Sequence, residues 1–482
     1  PGLAAPVAAW ISGEPTWLLA IPFSILWLAS PAIARWVSQP SIEGARPAPS
    51  AADTRALRLI ARRTWRFFET FVTAEDHMLP PDNFQDDPAP VVAHRTSPTN
   101  LGLYLLSIIA AHDFGWLGTL DAVKRLEATF ASMAKLETFR GHFYNWYNTR
   151  DLSVLEPRYI SSVDSGNLAG HLIVLGNACR EIAAGPIGNH NRISGLQDTL
   201  ALVREAASPP SADAGRPGFA RMRLNDAIDA LAAALKNNPA TPSAIARRLA
   251  DLAPMADALA ACAHAYSLER GDQAGADTVV WASALRASVT SHRHDVDVLT
   301  PWAGLLMPEA LADGGTDAMA DTMPSLTGLP EHTAMMAHLL EGSQHAGASE
   351  HAAPVAEALE RSADAGRSLA ERLAAMADLT ATLLHAMQFG FLFDPGRQLL
   401  SIGYRGSDSS LDANFYDLLA SESRLTSLLA IAKGDVPVRH WASLGRPFYA
   451  AGARAGLRSW SGSMFEYLMP SLVLDEPWGS VL

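Results

Sequence analysis

From Thr54 onward, apolar residues recur at three- and four-residue spacing, beginning with Leu57, Ile60, Ala61, Trp65, Phe68 and Phe71. That period matches one face of an α-helix and does not match the two-residue alternation of a strand. It continues over 97–113, 119–137, 166–184, 195–207, 220–236, 242–267 and 276–290, and in several stretches between 331 and 388. The middle of the chain, about 185–375, is Ala-rich and poor in aromatics, so it reads as packed helices joined by polar loops such as 208–215. No fixed-period repeat stands out, which argues against a solenoid. One β signal interrupts the helices. Residues 389–393 and 398–404, around the turn Asp394-Pro395-Gly396-Arg397, predict two short strands, and a helix follows from about 414 to 432. The expected class is mostly α with a little β.

Composition narrows the function. With 49% hydrophobic residues the chain has ample material for a core, which excludes wholesale disorder. The balance of 37 Lys+Arg against 50 Asp+Glu repels phosphate backbones, and no basic patch offsets it, so no nucleic-acid partner is expected. Cys179 and Cys262 cannot build a disulfide framework and resemble buried thiols of a reducing compartment. His292-Arg293-His294-Asp295-Val296-Asp297 has metal-ligating residue types but no further ligand at a recognised spacing, so it reads as a solvated polar turn. There is no His-Glu-x-x-His, Cys-x-x-Cys, phosphate-binding glycine loop or Gly-x-Ser-x-Gly elbow. Neither a metal nor a cofactor is expected.

Polar and aromatic residues gather in irregular segments that avoid the Ala-rich middle. They hold Asp82 and Asn83; His94, Arg95 and Asn100; His142, Tyr144, Trp146 and Tyr147; Asp164 and Asn167; Asp412, Tyr416 and Asp417; and Trp460 and Glu466, with Tyr404 closing the hairpin. Loops of this kind on a helical scaffold suit a neutral polyhydroxylated ligand, whose hydroxyls need donors and acceptors and whose apolar face needs a flat ring. The same residue types are also preferred caps and turns. Glu422 stands among Leu419, Ala420 and Leu425, where apolar walls would raise its pKa and make it a general acid at neutral pH. Pairing with Arg424 would make it merely structural, and Glu466 and Asp417 carry the same two readings.

Residues 15–34 form an uncharged, mostly apolar run bracketed by Glu14 and Arg35, with Trp17 and Trp36 near its ends. Its length matches a hydrocarbon core of about 30 Å, and a transmembrane helix is expected there despite Pro22 and Pro31. Arg35, Arg46, Arg55, Arg58, Arg62 and Arg63 follow, so the positive-inside rule places the downstream part in the cytoplasm. The Pro/Ala/Ser-rich stretch 39–53 reads as a linker, and the start at Pro1 as a sign of a longer polypeptide.

A set of uncommon strings in order resembles the central region of bacterial cyclic β-1,2-glucan synthases. They are Thr64-Trp65-Arg66-Phe67-Phe68-Glu69, Leu79-Pro80-Pro81-Asp82-Asn83-Phe84-Gln85, His94-Arg95-Thr96-Ser97-Pro98-Thr99-Asn100 and His142-Phe143-Tyr144-Asn145-Trp146-Tyr147. Ser162-Val163-Asp164-Ser165-Gly166-Asn167-Leu168-Ala169-Gly170 and Tyr416-Asp417-Leu418-Leu419-Ala420-Ser421-Glu422 belong to the same set. The resemblance implies a large bacterial inner-membrane protein with glycosyltransferase, cyclising and phosphorylase-like parts, of which this chain is the cyclising one. It implies an (α/α)6 toroid over 54–482, preceded by a transmembrane segment over 1–38 and the linker over 39–53.

The implied chemistry is retaining transglycosylation of linear β-1,2-glucan to a cyclic product, with Glu422 as general acid/base and the segments above as the glucan-binding residues. The family's second catalytic Glu lies in a Trp-Gly-x-Ser-Glu-Ser motif beyond the position of Glu466, and this sequence does not contain it. The chain alone is therefore expected to bind glucan weakly and turn it over little. A β-1,2-glucan hydrolase and a non-catalytic helical scaffold are the alternatives.

Overall fold

The computed structural model describes residues 11, 17–37, 48–188, 190–208, 218–271, 276–305, 319–342, 349–451 and 454–475. Within them the chain is mostly helical, with small antiparallel sheets of two or three strands. The helices are α1 (Trp17–Val37), α2 (Ala51–Phe71), α3 (Pro98–Asp113), α4 (Thr119–Met133), α5 (Ser162–Ala184), α6 (Arg192–Ala207) and α7 (Phe219–Ala234). They continue as α8 (Pro242–Arg270), α9 (Asp277–Leu299), α10 (Leu329–Gly342), α11 (Ser349–Ala386), α12 (Ser423–Ala432), α13 (Arg439–Ser443) and α14 (Met464–Leu468).

The expected transmembrane helix is corrected by the structure. Among the described residues no helix is long and apolar enough to cross a membrane. In α1 the apolar run is broken by Ser24 and Ser30, and by Pro22 and Pro31, each of which lacks the N–H that a helix ladder needs. Three of the arginines that suggested an orientation pair with acids of the fold. Arg58 pairs with Asp198 at 2.7 Å, Arg62 with Glu69 at 2.8 Å and Arg63 with Glu205 at 2.6 Å. Arg62 is fully buried, donates to Thr199 Oγ1 at 3.0 Å and lies over the Trp281 ring at 5.2 Å. The expected linker lies outside the described residues up to position 47. It ends at Ser50, which caps α2 in a reciprocal box with Asp53, so that helix begins at Ala51 rather than Thr54.

The core follows the helical periodicity. One cluster joins α2 to α5 and α11 through residues such as Trp65, Leu101, Leu105, Leu126, Leu172 and Leu373. A second, in the Ala-rich middle, joins α6 to α9 through Leu196, Leu224, Leu249, Leu259 and Leu285. The sequence 292–297 is not a solvated turn: it is the last part of α9. His292 and Asp295 are buried there, and the Asp295 carboxylate accepts from Thr119 N at 2.6 Å and Leu120 N at 2.9 Å, capping α4 from outside.

Helix α5 is the axis of the first cluster. It packs on α3, α11 and α12, and small residues let each neighbour come close. A methyl group at Gly166 would stand 1.9 Å from Thr426 Oγ1, and one at Gly176 would stand 2.6 Å from Thr380 Oγ1. Thr426 Oγ1 in turn donates to Ser162 O at 3.1 Å, fixing the start of α12 against the start of α5. The predicted hairpin forms, with Phe393 opposite Leu400 and Asp394 opposite Leu399, while 389–392 is a 3-10 turn. The predicted helix 414–432 is shorter than expected, because Phe415 and Tyr416 pair with Ser401 and Leu400 as a strand and α12 begins only at Ser423.

Substituting Gly166→Ala should lower stability by about 1–3 kcal/mol, since the Thr426 backbone cannot retreat. Gly304→Ala, whose added methyl meets nothing within 4 Å, should stay within about 0.5 kcal/mol of wild type in the same denaturant titration.

Candidate active site

Three helix starts converge at one end of α5. Ser97 caps α3, accepting from Asn100 N at 3.2 Å with Pro98 in the first turn, which places Thr99 and Asn100 at the tip of that helix. Ser161 caps α5, accepting from Asp164 N at 3.2 Å, and the Asp164 carboxylate sits in the first turn, where the helix dipole favours negative charge. Glu422 occupies the N-cap position of α12 but makes no capping hydrogen bond. Its side chain faces the α5 start instead.

The polar contacts form a chain. Thr99 Oγ1 donates to Asp164 Oδ1 at 2.6 Å, and Asn167 Nδ2 donates to Thr99 Oγ1 at 3.1 Å. With its amide turned to satisfy both neighbours, Asn145 donates to Asp164 Oδ2 at 3.0 Å and accepts from Trp146 Nε1 at 3.1 Å. The Trp146 ring lies under the Arg95 guanidinium at 4.4 Å. Arg95 pairs with Asp82 at 2.9 Å, and Asp82 also accepts from Asn83 at 3.1 Å and Asn100 at 3.2 Å. Across the site, Tyr416 meets Trp460 edge to face at 6.2 Å, and Asp412 pairs with Arg405 at 3.2 Å.

Electrostatics single out Glu422. Burial, then the negative charges of Asp164 and Glu466, push its carboxyl up to about 7, with the neighbouring Asn167 amide acting in the opposite sense. Its Oε2 is buried without a hydrogen-bond partner. Glu466 behaves oppositely. Burial alone would raise it, but hydrogen bonds from Ser461, Ser459 and Ser463 outweigh that and hold it below its ordinary value. Its Oε2 accepts from Ser461 Oγ at 2.6 Å and from Ser459 Oγ at 3.0 Å. Burial and the Glu422, Asp164, Tyr159 and Glu466 charges raise the Tyr416 hydroxyl, and burial with the Asp412 charge raises Tyr159 to about 12. One carboxyl group is thus raised to about 7 beside a second, Glu466, that is held below its ordinary value.

Of the residues expected at the site, Asp82, Asn83, Arg95, Asn100, Trp146, Asp164, Asn167, Asp412, Tyr416, Glu422, Trp460 and Glu466 fall in this connected set. His94 belongs to a neighbouring group, accepting or donating at Asp76 Oδ1 (2.8 Å) beside Thr149. His142 and Tyr147 are fully buried. The His142 ring meets Phe389 and Phe391 edge-on, and burial lowers it to about 4; the Tyr147 hydroxyl donates to Glu137 O. Tyr144 lies under Arg158 at 5.2 Å, and Tyr404 stacks on Phe139 at 5.3 Å. Asp417 contributes its backbone carbonyl to Gly445 N at 2.6 Å. Thr99, Asn145 and Tyr159 were not singled out by sequence, although the first two stand next to residues that were. A separate cavity lined by Ile109, His112, Glu181, Ile187 and Leu326 opens at the other ends of α3 and α5. Among the described residues no group of three or more His, Cys, Asp or Glu could hold a metal ion.

No protein-family model matches the chain. Among curated proteins it is similar to the cyclic β-(1,2)-glucan synthase NdvB of Rhizobium meliloti (strain 1021), with 39% identity over 474 residues. The match covers 96% of this chain and 14% of the length of that protein.

Removing a negative charge beside Glu422 makes its ionisation easier. Asp164→Asn should therefore move the Glu422 midpoint down from about 7, yet leave it above 4.5, because burial is the larger cause. Glu466→Gln should shift it in the same direction by less, as read by carbon NMR of labelled glutamate side chains.

Proposed function

Since the chain belongs to the cyclic β-(1,2)-glucan synthase family, as the counterpart of one segment of such a protein, we propose that it carries the general-acid half of a retaining transglycosylation on β-1,2-glucan. In this reading Glu422 protonates the glycosidic oxygen as the bond to C1 breaks. It then takes the proton back from the 2-hydroxyl at the other end of the same chain, which displaces the enzyme carboxylate and closes the ring. Trp146, Tyr416 and Trp460 offer flat faces to the sugar rings, while Asp82, Asn83, Asn100 and Asp412 offer hydroxyl partners.

The observation that carries the proposal is the state of Glu422: a partly buried carboxyl raised to about 7, with one oxygen unpartnered, at the junction of the polar and aromatic segments. Retention also needs an ionised carboxylate that attacks C1. The two carboxylates beside Glu422 have their oxygens engaged, Asp164 by Thr99 and Asn145 and Glu466 by serine hydroxyls and backbone N–H groups. Both serve as electrostatic partners, and the acid step alone is assigned to this chain.

The test is incubation of the segment, within its full-length protein, with linear β-1,2-glucan, followed by mass spectrometry of the products. Cyclic glucans, lighter than their linear counterparts by one water, are expected. Glu422→Gln should lower their formation by about 100- to 10,000-fold. Because the acid must be protonated, activity should fall as pH rises through about 7. New reducing ends without cyclic glucan would identify a hydrolase instead, and unchanged activity in Glu422→Gln would overturn the assignment.

A further inference from the structure

We propose that the cavity at the C-terminal ends of α3 and α5 is a binding site for a small organic cation, an ammonium group carried on a ring-sized apolar body. The cavity lies at the opposite ends of these helices from Glu422, so the proposal stands apart from the reading of that residue.

Size and lining suit one ring. The cavity measures about 220 Å³. An apolar cavity of about 150 Å³ is enough to hold benzene, so a ring with a short side group fits. Ile109, Ala178, Ile187, Leu299 and Leu326 form its floor, each at most 9% exposed. Backbone pairing holds one wall in place. Ile187 N donates to Pro324 O at 2.8 Å, Leu326 N to Gly185 O at 3.2 Å and Thr327 N to Ala183 O at 3.0 Å, which ties the loop after α5 to 324–327. An apolar hollow with a few polar groups at its edge is the usual form of a small-molecule site.

The edge is negative. Asp113 and Glu181 line the cavity, and among the described residues none of its lining is Lys or Arg. Each helix also brings the negative end of its dipole, and neither has Lys or Arg in its last turn. The nearby cations are engaged elsewhere. Arg180 donates to Asn177 Oδ1 at 3.3 Å, and Arg192, at the start of α6, packs against Gly188 and lines an adjoining void with Asp295. The start of α4 does not invite an anion either, since Asp295 already accepts from Thr119 N and Leu120 N. His112 is held between Asp113 Oδ1 at 3.2 Å and Thr119 Oγ1 at 3.1 Å, and His190 is exposed. Glu181 is exposed at the edge, and among the described residues its carboxylate takes no hydrogen bond, which leaves it to meet an ammonium group above the apolar floor.

Photolabelling of the full-length protein with para-azidobenzylammonium tests the site, with adducts located by mass spectrometry. They should map to 109–119 and 178–191, the two segments that supply most of the lining. Benzylammonium should suppress them at about one-fifth of the concentration that benzyl alcohol, its neutral counterpart, requires, and benzoate should not compete. Glu181→Gln should remove most of that preference while benzyl alcohol competes as before. Ala178→Leu, which fills the hollow, should abolish the adducts. If that variant fails to fold, Glu181→Gln, at an exposed position, still decides. Adducts absent from both segments, equal competition by the amine, the alcohol and benzoate, or an unchanged preference in Glu181→Gln would each overturn the proposal.

Discussion

The contact between the first turns of α5 and α12 organises everything around Glu422. Gly166 and Gly170 lie on one face of α5, four residues apart, and leave room for Thr426 and Leu425. Because Thr426 is one turn beyond Glu422, the backbone approach at Gly166 sets the carboxyl beside Asn167 and Asp164. The grip is repeated along the same helix. Gly102 of α3 faces His171, and Gly176 faces Thr380 of α11. A helix held on three sides by small residues has little freedom to roll, so the groups at its N-terminus keep their places.

The electrostatic arrangement depends on that rigidity. Desolvation is the largest effect on Glu422, and desolvation requires that the walls stay closed. Glu466 lies nearby with an opposite balance, because α14 begins with a capping box and three serines donate to one carboxylate. Two glutamates near one another are thus driven apart in acidity by what surrounds each, the pattern expected when one must carry a proton and the other must stay charged.

The helical scaffold was legible because burial follows the 3.6-residue period, which survives even in the Ala-rich middle. Helix starts were less legible. In α5 the first turn, Ser162 to Ser165, is mostly polar, with Val163 its one apolar residue, so apolar periodicity is nearly silent there, and the capping role of Ser161 emerges only from geometry. The strand at Phe415 and Tyr416 owes its form to Leu400 and Ser401, a pairing that no local window contains. The apolar run at 15–34 carried no charge and so resembled a membrane span, while the downstream arginines gave no hint that their partners lay about 140 positions away, as for Arg58 and Asp198. Several of the motif strings meet in the fold, but the strings do not say which side chain faces inward. Within 141–147, Trp146 reaches Arg95 while Tyr147 turns to Glu137. Residue type alone does not encode that difference.

The missing cap of α12 has a consequence for how such a protein tolerates change. A side-chain cap at a helix start contributes about 1 kcal/mol, and Glu422 forgoes it by facing the α5 start instead. On the proposed reading the first turn of α12 is therefore a place where local stability and chemistry trade against each other. A serine or aspartate there would suit the helix better and, if Glu422 is the acid, would serve the reaction worse. A sequence selected only for ruggedness would favour such a cap, so a poorly capped glutamate at this helix start is what the proposed acid would look like from the standpoint of the backbone.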